Sequence, residues 1–332
     1  MTRAVECDNN ILMRRIFSLL AIAVCLSSCS DKPKSKPLVG VVPKGANHIF
    51  WQTVHAGAVK AGREFGLDIE WNAPALEIDA SRQIGIVDSM VNRHLAGIVL
   101  APVDRKALVA PVERAMKAGI PVVIFDSDVD TTQRITYVAT NNREGGRMAA
   151  RQLADLMGSK GKVAIVGFMA GSASTMEREQ GFEEELRDKF PEIKIVQTIY
   201  AKASQAAAMS GTENILTAHP DLIGLFADNE SSSAGAVQAL KSRGETKVRM
   251  VAFDASDQLI ADLRHRHLDA IVLQDPFKMG YESTKAIAMK LKGETPPATI
   301  DSGAVLVTRS DLEKPDVIPL LYPDIRRYLD GK

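Results

Sequence analysis

Short apolar runs rich in valine and isoleucine recur along this chain, and amphipathic stretches of ten to sixteen residues separate them. That alternation restricts the fold to an α/β architecture, because successive parallel strands need a crossover and a helix is the usual one. Strands are expected at 38–42, 67–71, 97–100 and 122–125, then at 162–166, 193–199, 223–227, 249–253 and 270–273. Helices are expected at 52–65, 79–92, 106–118 and 141–156, the last opened by Asn141 as a cap. One doubly wound sheet of nine strands would satisfy the pattern, but the length of 332 residues and the restart near Thr140 favour two lobes. No low-complexity linker separates the halves, so crossing strands and not a free tether are expected between them.

The N-terminus reads as an export leader. From Met13 it runs through Arg14 and Arg15 into an apolar segment from Ile16 to Leu26, too short for a permanent transmembrane helix, and then Leu26-Ser27-Ser28-Cys29. Glu6 and Asp8 do not suit the basic start of a leader, which points to Met13 as the start of translation. The residues before Cys29 resemble the lipobox of bacterial lipoproteins, which implies cleavage after residue 28 and acylation of the Cys29 thiol. Residues 29–37, with two prolines and no large hydrophobic residue, read as a tether. Cys7 and Cys25 precede the cleavage point, so Cys29 is left as the only mature cysteine and neither a disulfide nor a cysteine metal site is expected.

The whole chain holds 41 basic and 41 acidic residues; removing 1–28 takes away Arg3, Arg14 and Arg15 against Glu6 and Asp8, leaving 38 and 39. Such a balance lacks the basic footprint that nucleic acid requires.

In a parallel sheet, ligands bind outside the carboxyl ends of the strands. The residues there are Pro43-Lys44, Pro102-Val103-Asp104, Asp126-Ser127-Asp128, Asp228-Asn229-Glu230, Asp254 and Gln274-Asp275. Any one of these is equally an ordinary turn or cap residue; together they form an edge of hydrogen-bonding groups. His48, Phe50 and Trp51 lie where the first strand gives way to the first helix. Such an aromatic pair can be a hydrophobic staple, or a platform for the C–H face of a sugar whose hydroxyls are met by carboxylates and amides.

These residues together resemble the periplasmic sugar-binding proteins of the ribose-binding type, substrate receptors of ABC importers that share the type I periplasmic binding fold with LacI-type repressors. The resemblance covers nearly all of residues 38–309 and is most specific at Asn47-His48-Ile49-Phe50-Trp51, Phe125-Asp126-Ser127, Gly171–Phe182 with Glu177-Arg178, Leu216–Asn229, Val251–Asp254 and Gln274-Asp275-Pro276. It implies two doubly wound parallel-sheet lobes joined by three crossover strands, near Thr140, Gln274 and Gly303. The first lobe would hold 38–140 and 275–303, the second 141–274 and 304–332. It also implies Phe50 and Trp51 under the sugar ring, His48 where an asparagine often stands, Asp126, Asn229, Asp254 and Gln274 on hydroxyls, and Arg178 reaching the ring oxygen. Ser127 stands where ribose receptors carry a second arginine, and Ala203 where a second-lobe aromatic would close over the ring. Both departures argue against ribose itself and for a larger or differently oriented ligand.

The expected function is therefore a non-catalytic, lipid-anchored receptor that delivers a monosaccharide or similar polyol to an ABC permease. It is expected to act as a monomer, without a cofactor, metal or nucleic-acid partner. A receptor signalling to a membrane kinase or chemoreceptor would look the same in sequence. An enzyme would need a nucleophile with its base, a metal cluster or a phosphate cradle. No G-x-x-x-x-G-K-[ST] occurs, Gly167 and Gly171 miss the dinucleotide spacing, and His48, His55, His265 and His267 read as pocket or surface histidines. Asp126 and Asp254 acting as a glycosidase acid and base is the remote catalytic alternative. A repressor would need a DNA-binding headpiece where the leader stands. The tail from Ser310 to Lys332 is expected to pack on a lobe.

Overall fold

The computed structural model describes residues 35–330; the expected leader, Cys29 and most of the tether lie outside them. Strands β1 (Leu38–Val42), β2 (Asp68–Trp71), β3 (Gly97–Leu100), β4 (Val122–Phe125) and β5 (Thr136–Ala139) alternate with helices α1 (Ile49–Phe65), α2 (Ala80–Asn92) and α3 (Val109–Lys117). Then come α4 (Asn142–Met157), β6 (Gly161–Gly167), α5 (Ala173–Lys189), β7 (Ile193–Tyr200), α6 (Gln205–Ala218), β8 (Leu222–Ala227), α7 (Glu230–Ser242) and β9 (Arg249–Phe253). The chain continues through α8 (Asp257–Arg264), β10 (Ala270–Gln274), α9 (Pro276–Leu291), β11 (Thr299–Asp301) and β12 (Ala304–Thr308).

Two six-stranded sheets result, ordered β11-β5-β4-β3-β1-β2 and β12-β10-β9-β8-β6-β7. Every pair is parallel except β10 with β12. The two-lobe type I architecture expected from the sequence is thus observed, and the single nine-stranded sheet is not. The chain passes from the first sheet to the second after β5, back after β10, and over again between β11 and β12. Thr140 Oγ1 lies 3.2 Å from Ser302 Oγ and donates to the Gly303 carbonyl at 3.1 Å, so two of these passages brace each other.

Helix boundaries reflect local chemistry. The Asp79, Asn141 and Asp275 side chains accept the Arg82, Glu144 and Lys278 amides, and Pro276 fills a first-turn position whose N–H has no helical partner. Each sheet is covered on both faces, with apolar clusters around Val99, Phe125 and Ile287 and around Ile98 and Ile124 in the first lobe. Clusters around Phe182, Phe226 and Phe253 and around Leu225, Met250 and Leu259 do the same in the second.

Helices α4 and α5 cross very closely. A Cβ on Gly146 would lie 1.9 Å from the Arg178 carbonyl oxygen, and one on Gly181 2.0 Å from that of Arg143. Since the obstruction is backbone, only glycine fits either position.

The tail departs from expectation. Leu312, Val317 and Leu321 enter the second-lobe core. The end of the tail does not stay there: a short helix α11 (Arg326–Leu329), preceded by α10 (Ile318–Leu321), packs on α1 of the first lobe. Arg63 Nη2 donates to the Tyr328 carbonyl at 2.9 Å, and the Tyr328 ring lies 5.4 Å from that of Phe277. The cause is local: terminal carbonyls without helical donor partners find a guanidinium, and one ring finds another.

Candidate ligand-binding cavity

Between the lobes, at the carboxyl ends of both sheets, lies a cavity. His48, Phe50, Trp51, Asp126, Arg178, Asn229, Asp254 and Gln274, eight of the nine side chains expected from sequence, line it. The ninth, Ser127, does not. It is fully buried beside the cavity, where its Oγ accepts the Ser174 amide at 3.0 Å and so ties the lobes together.

The first-lobe wall is built around an ion pair that sequence reasoning did not assign. Lys44, just beyond β1, places Nζ 2.8 Å from Asp126 Oδ2 and donates to Ser174 Oγ at 3.1 Å and Ser172 Oγ at 3.3 Å in the second lobe. Both side chains are about 5% exposed, a burial that each charge tolerates because the other is present. Lys44 thereby supplies a cation beside the aspartate, where the resemblance places an arginine and this chain has Ser127.

His48 faces two carboxylates, one per lobe: Nε2 is 3.7 Å from Glu77 Oε1 and Nδ1 is 3.4 Å from Glu230 Oε2. Interaction with Glu230 raises the imidazole to about 9 against the cost of burial, with Glu77 contributing, so the ring is a cation at neutral pH. Glu77 itself is pushed upward by burial and drawn down by His48 and by the Trp51 indole N–H, which donates to it at 2.6 Å. Trp51 therefore serves both readings offered by the sequence: it lines the cavity, yet it is 4% exposed and packs edge-on against Phe125 in the core. Phe50 stands edge-on to Trp51 and is half-buried.

On the second-lobe side, Arg178 is fixed on all sides. Its Nε donates to Asn142 Oδ1 and its Nη1 to the Asp228 carbonyl, each at 2.8 Å, while its guanidinium lies 4.0 Å from the centre of the Phe253 ring. Asp254 Oδ2 is 3.9 Å from Nη1, and Gln274 Nε2 donates to Asp254 Oδ1 at 2.6 Å. Burial raises Asp254 to about 6 despite Arg178 and Gln274. Asn229 has a divided role, since its Oδ1 caps α7 through the Ser232 amide. Its amide nitrogen, bonded to Ser231, is what remains for a ligand. Asp228 and Glu179 lie behind this wall, and burial together with their mutual repulsion holds Asp228 well above the carboxylate range.

Sequence reasoning also missed Glu77, Phe168, Ser174 and Thr175 on the cavity wall, and placed Glu230 only at a strand end without a role. Phe168, one residue beyond β6, brings a second-lobe ring; Ala203 instead borders a cleft at the cavity mouth with Leu76 and Ile78. Across the cleft, the Arg105 amide donates to the Gly171 carbonyl at 2.9 Å, so the lobes meet on both sides of the cavity. Among the described residues no cluster of three or more histidine, cysteine and acidic side chains forms a metal site. Gln274 Oε1 has no hydrogen-bond donor in the structure, and Glu230 Oε2 has only the misaligned approach of His48, so the cavity offers acceptors to something that donates.

Residues 39–295 match the model of the periplasmic binding protein domain. The chain belongs to the periplasmic binding protein family. Among curated relatives of this periplasmic binding protein, the ribose import binding protein of Bacillus subtilis is 28% identical over 86% of this chain and 95% of its own. The D-apiose import binding protein of Actinobacillus succinogenes is 29% identical over 71% and 76%. Among solved structures, a carbohydrate transporter solute binding protein from Agrobacterium radiobacter in complex with D-arabinose superimposes with a TM-score of 0.85. It is 31% identical over 87% of this chain and 99% of that one. An ABC transporter solute binding protein from Agrobacterium vitis with bound D-fucose gives 0.83 at 32% identity over 86% and 100%. Periplasmic binding proteins of this kind are receptors and not enzymes.

Proposed function

We propose that this chain is an extracytoplasmic receptor that closes its lobes over a monosaccharide or similar polyol and presents it to an ABC permease, tethered to the membrane by lipid on Cys29. The observation that supports this most is the character of the cavity: buried acceptor oxygens without donors lie beside aromatic rings, drawn from both lobes. A sugar supplies O–H donors in its ring plane and C–H groups on its faces. The sugars named for the relatives fall in the same class. Asp126, Asp254, Asn229, Gln274 and Arg178 are assigned to hydroxyls, with His48 and Lys44 setting the charge around them and Phe50, Trp51 and Phe168 as the apolar surfaces.

Because these groups come from both lobes, a ligand binds the closed form better and shifts the population toward it. About five charge-assisted bonds of roughly 1.5–3 kcal/mol each, less several for closure and lost freedom, place affinity in the sub-micromolar to micromolar range.

The test is a thermal-shift screen of the chain from Ser30 onward against pentoses, hexoses, sugar alcohols and disaccharides, with Asp126→Ala as control. A shift of several degrees with one sugar, absent in the variant, is the expected result; no response to any sugar overturns the reading. Incorporation of labelled palmitate in a bacterial host, abolished by Cys29→Ala, tests the anchor separately.

A further inference from the structure

Two carboxyl groups lie behind the second-lobe wall, outside the cavity itself. Asp228, one residue past β8, is fully buried, and Glu179, in α5, is 6% exposed. Each has one oxygen with a fixed donor: Asp228 Oδ2 accepts the Phe168 amide at 3.1 Å, and Glu179 Oε2 accepts the Tyr200 hydroxyl at 2.9 Å. Their other oxygens, Asp228 Oδ1 and Glu179 Oε1, are buried without a donor, although the two carboxyl groups are within hydrogen-bonding reach of each other. An ionised carboxylate only accepts, so a bond between the two requires a proton on one of them. Around the pair stand Tyr200 from β7 and, on α5, Arg178 and Glu183, the last repelling Glu179. Burial and Glu179 hold Asp228 well above the carboxylate range against the pull of the Phe168 amide and Arg178, whereas the bonds to Asp228 and Tyr200 draw Glu179 down. The proton therefore belongs on Asp228 and the charge on Glu179.

We propose that Asp228 and Glu179 share one proton and act as positioning residues, their bond fixing Arg178, Asn229 and Phe168 on the cavity wall. As a statement about sugar contacts this rests on the sugar-binding reading; the shared proton does not. The connections are short. Glu179 follows Arg178 in α5, and the Asp228 carbonyl accepts Arg178 Nη1 at 2.8 Å. Asn229 follows Asp228, and the Phe168 amide is held by the Asp228 carboxyl. Three lining residues from α5, the β8–α7 junction and the end of β6 thus meet at one hydrogen bond that no ligand touches. A buried bond of this kind fixes its partners because breaking it leaves both groups unsatisfied.

The experiment compares the chain from Ser30 to Lys332 with its Asp228→Asn and Asp228→Ala variants. Infrared difference spectra in heavy water at neutral pH, parent minus Asp228→Asn, are expected to show the carbonyl stretch of an un-ionised carboxyl group. A proton that the folded chain keeps and the unfolded chain releases makes stability fall as pH rises from about 4, the ordinary aspartate value, toward that of the folded acid. The asparagine amide donates to Glu179 without a proton to lose, so the melting temperature of Asp228→Asn is expected to gain on the parent's steadily over that range. The sugar giving the largest shift in the thermal screen is expected to bind Asp228→Ala about tenfold or more weaker, and Asp228→Asn is expected to restore most of that loss. No carboxyl band in the difference spectrum, or a melting-temperature gap that stays constant with pH, overturns the shared proton, and neither measurement needs the alanine variant to fold. Alanine and asparagine variants that bind the sugar equally overturn the positioning role. Failure of every sugar overturns that role together with the sugar reading, while the band and the melting temperatures still decide the proton.

Discussion

Asp126 and Asp254 occupy the same position in the two sheets. Each ends the fourth strand of its lobe, each takes a left-handed backbone, with φ of 59° and 65°, and each donates its amide to the neighbouring strand, at Val138 and Val272 respectively. A left-handed aspartate costs less than most residues would, because its short side chain can bond locally. The turn it makes aims one carboxylate from each lobe into a common space. Asp126 meets Lys44 there and Asp254 meets Gln274 and Arg178.

Asp126→Asn should preserve the backbone turn but leave the Lys44 ammonium buried without its counter-ion. Sugar affinity is expected to fall at least tenfold in titration calorimetry, with a lower melting temperature. The double change Asp126→Asn with Lys44→Met should recover the melting temperature and not the affinity. Recovery of both would remove Asp126 from the ligand.

Arg178→Lys keeps the charge and loses the fork. A lysine cannot reach Asn142 and the Asp228 carbonyl together while lying flat on Phe253. Loss of one or two charged hydrogen bonds at about 1.5–3 kcal/mol each predicts binding weakened by roughly 10²-fold or more. An affinity within threefold of the parent would mean that Arg178 supports the wall and does not touch ligand.

Affinity should show a bell-shaped pH profile. His48 in the closed form is raised to about 9, so its attraction to Glu230 across the cleft is fully present below the ordinary histidine value and is lost as pH rises through about 9. Asp254 is raised to about 6, so it gains its proton, and ceases to be a charged acceptor, as pH falls through about 6. His48→Gln should flatten the alkaline limb and leave the acid limb in place. An unchanged alkaline limb in that variant would assign it elsewhere.

Gly146→Ala places a methyl group against the Arg178 carbonyl, and neither helix can yield without moving the other. Overpacking of this kind costs typically about 1–3 kcal/mol, and here it also shifts the helix that carries Arg178. Chemical denaturation should register the loss of stability, and sugar binding should weaken beyond it. Gly85→Ala, inside a helix with open space around its Cβ position, is the control, expected to leave binding unchanged and to raise stability by about 0.5–1 kcal/mol.

Much of this was legible because the strands announce themselves. Runs such as Gly97–Leu100 and Val122–Phe125 are apolar at every position, and the residue after a buried strand must emerge at the edge of the sheet. Asp126, Asp254 and Gln274 could be placed for that reason. Glu77 could not, since it lies in the irregular stretch between β2 and α2, where no period says which way a side chain points. Lys44 and Glu230 were visible at strand ends, but their partners are distant in the chain, and nothing local encodes a contact over 82 residues, as between Lys44 and Asp126. Phe168 was hidden by looking for the second ring at Ala203, whereas the cavity draws it from the end of β6. The tail misled for a related reason: its apolar residues do enter the second lobe, and the crossing to Arg63 and Phe277 depends on backbone carbonyls that carry no sequence signature.

The tail is rooted in the second lobe at Val317 and Leu321 and fastened to the first at Arg63 and Phe277, one residue past the point where β10 gives way to α9. The tail therefore lies as a strap across the crossover itself, sewn to both sides of the seam, so whatever moves one lobe against the other has to carry the strap with it.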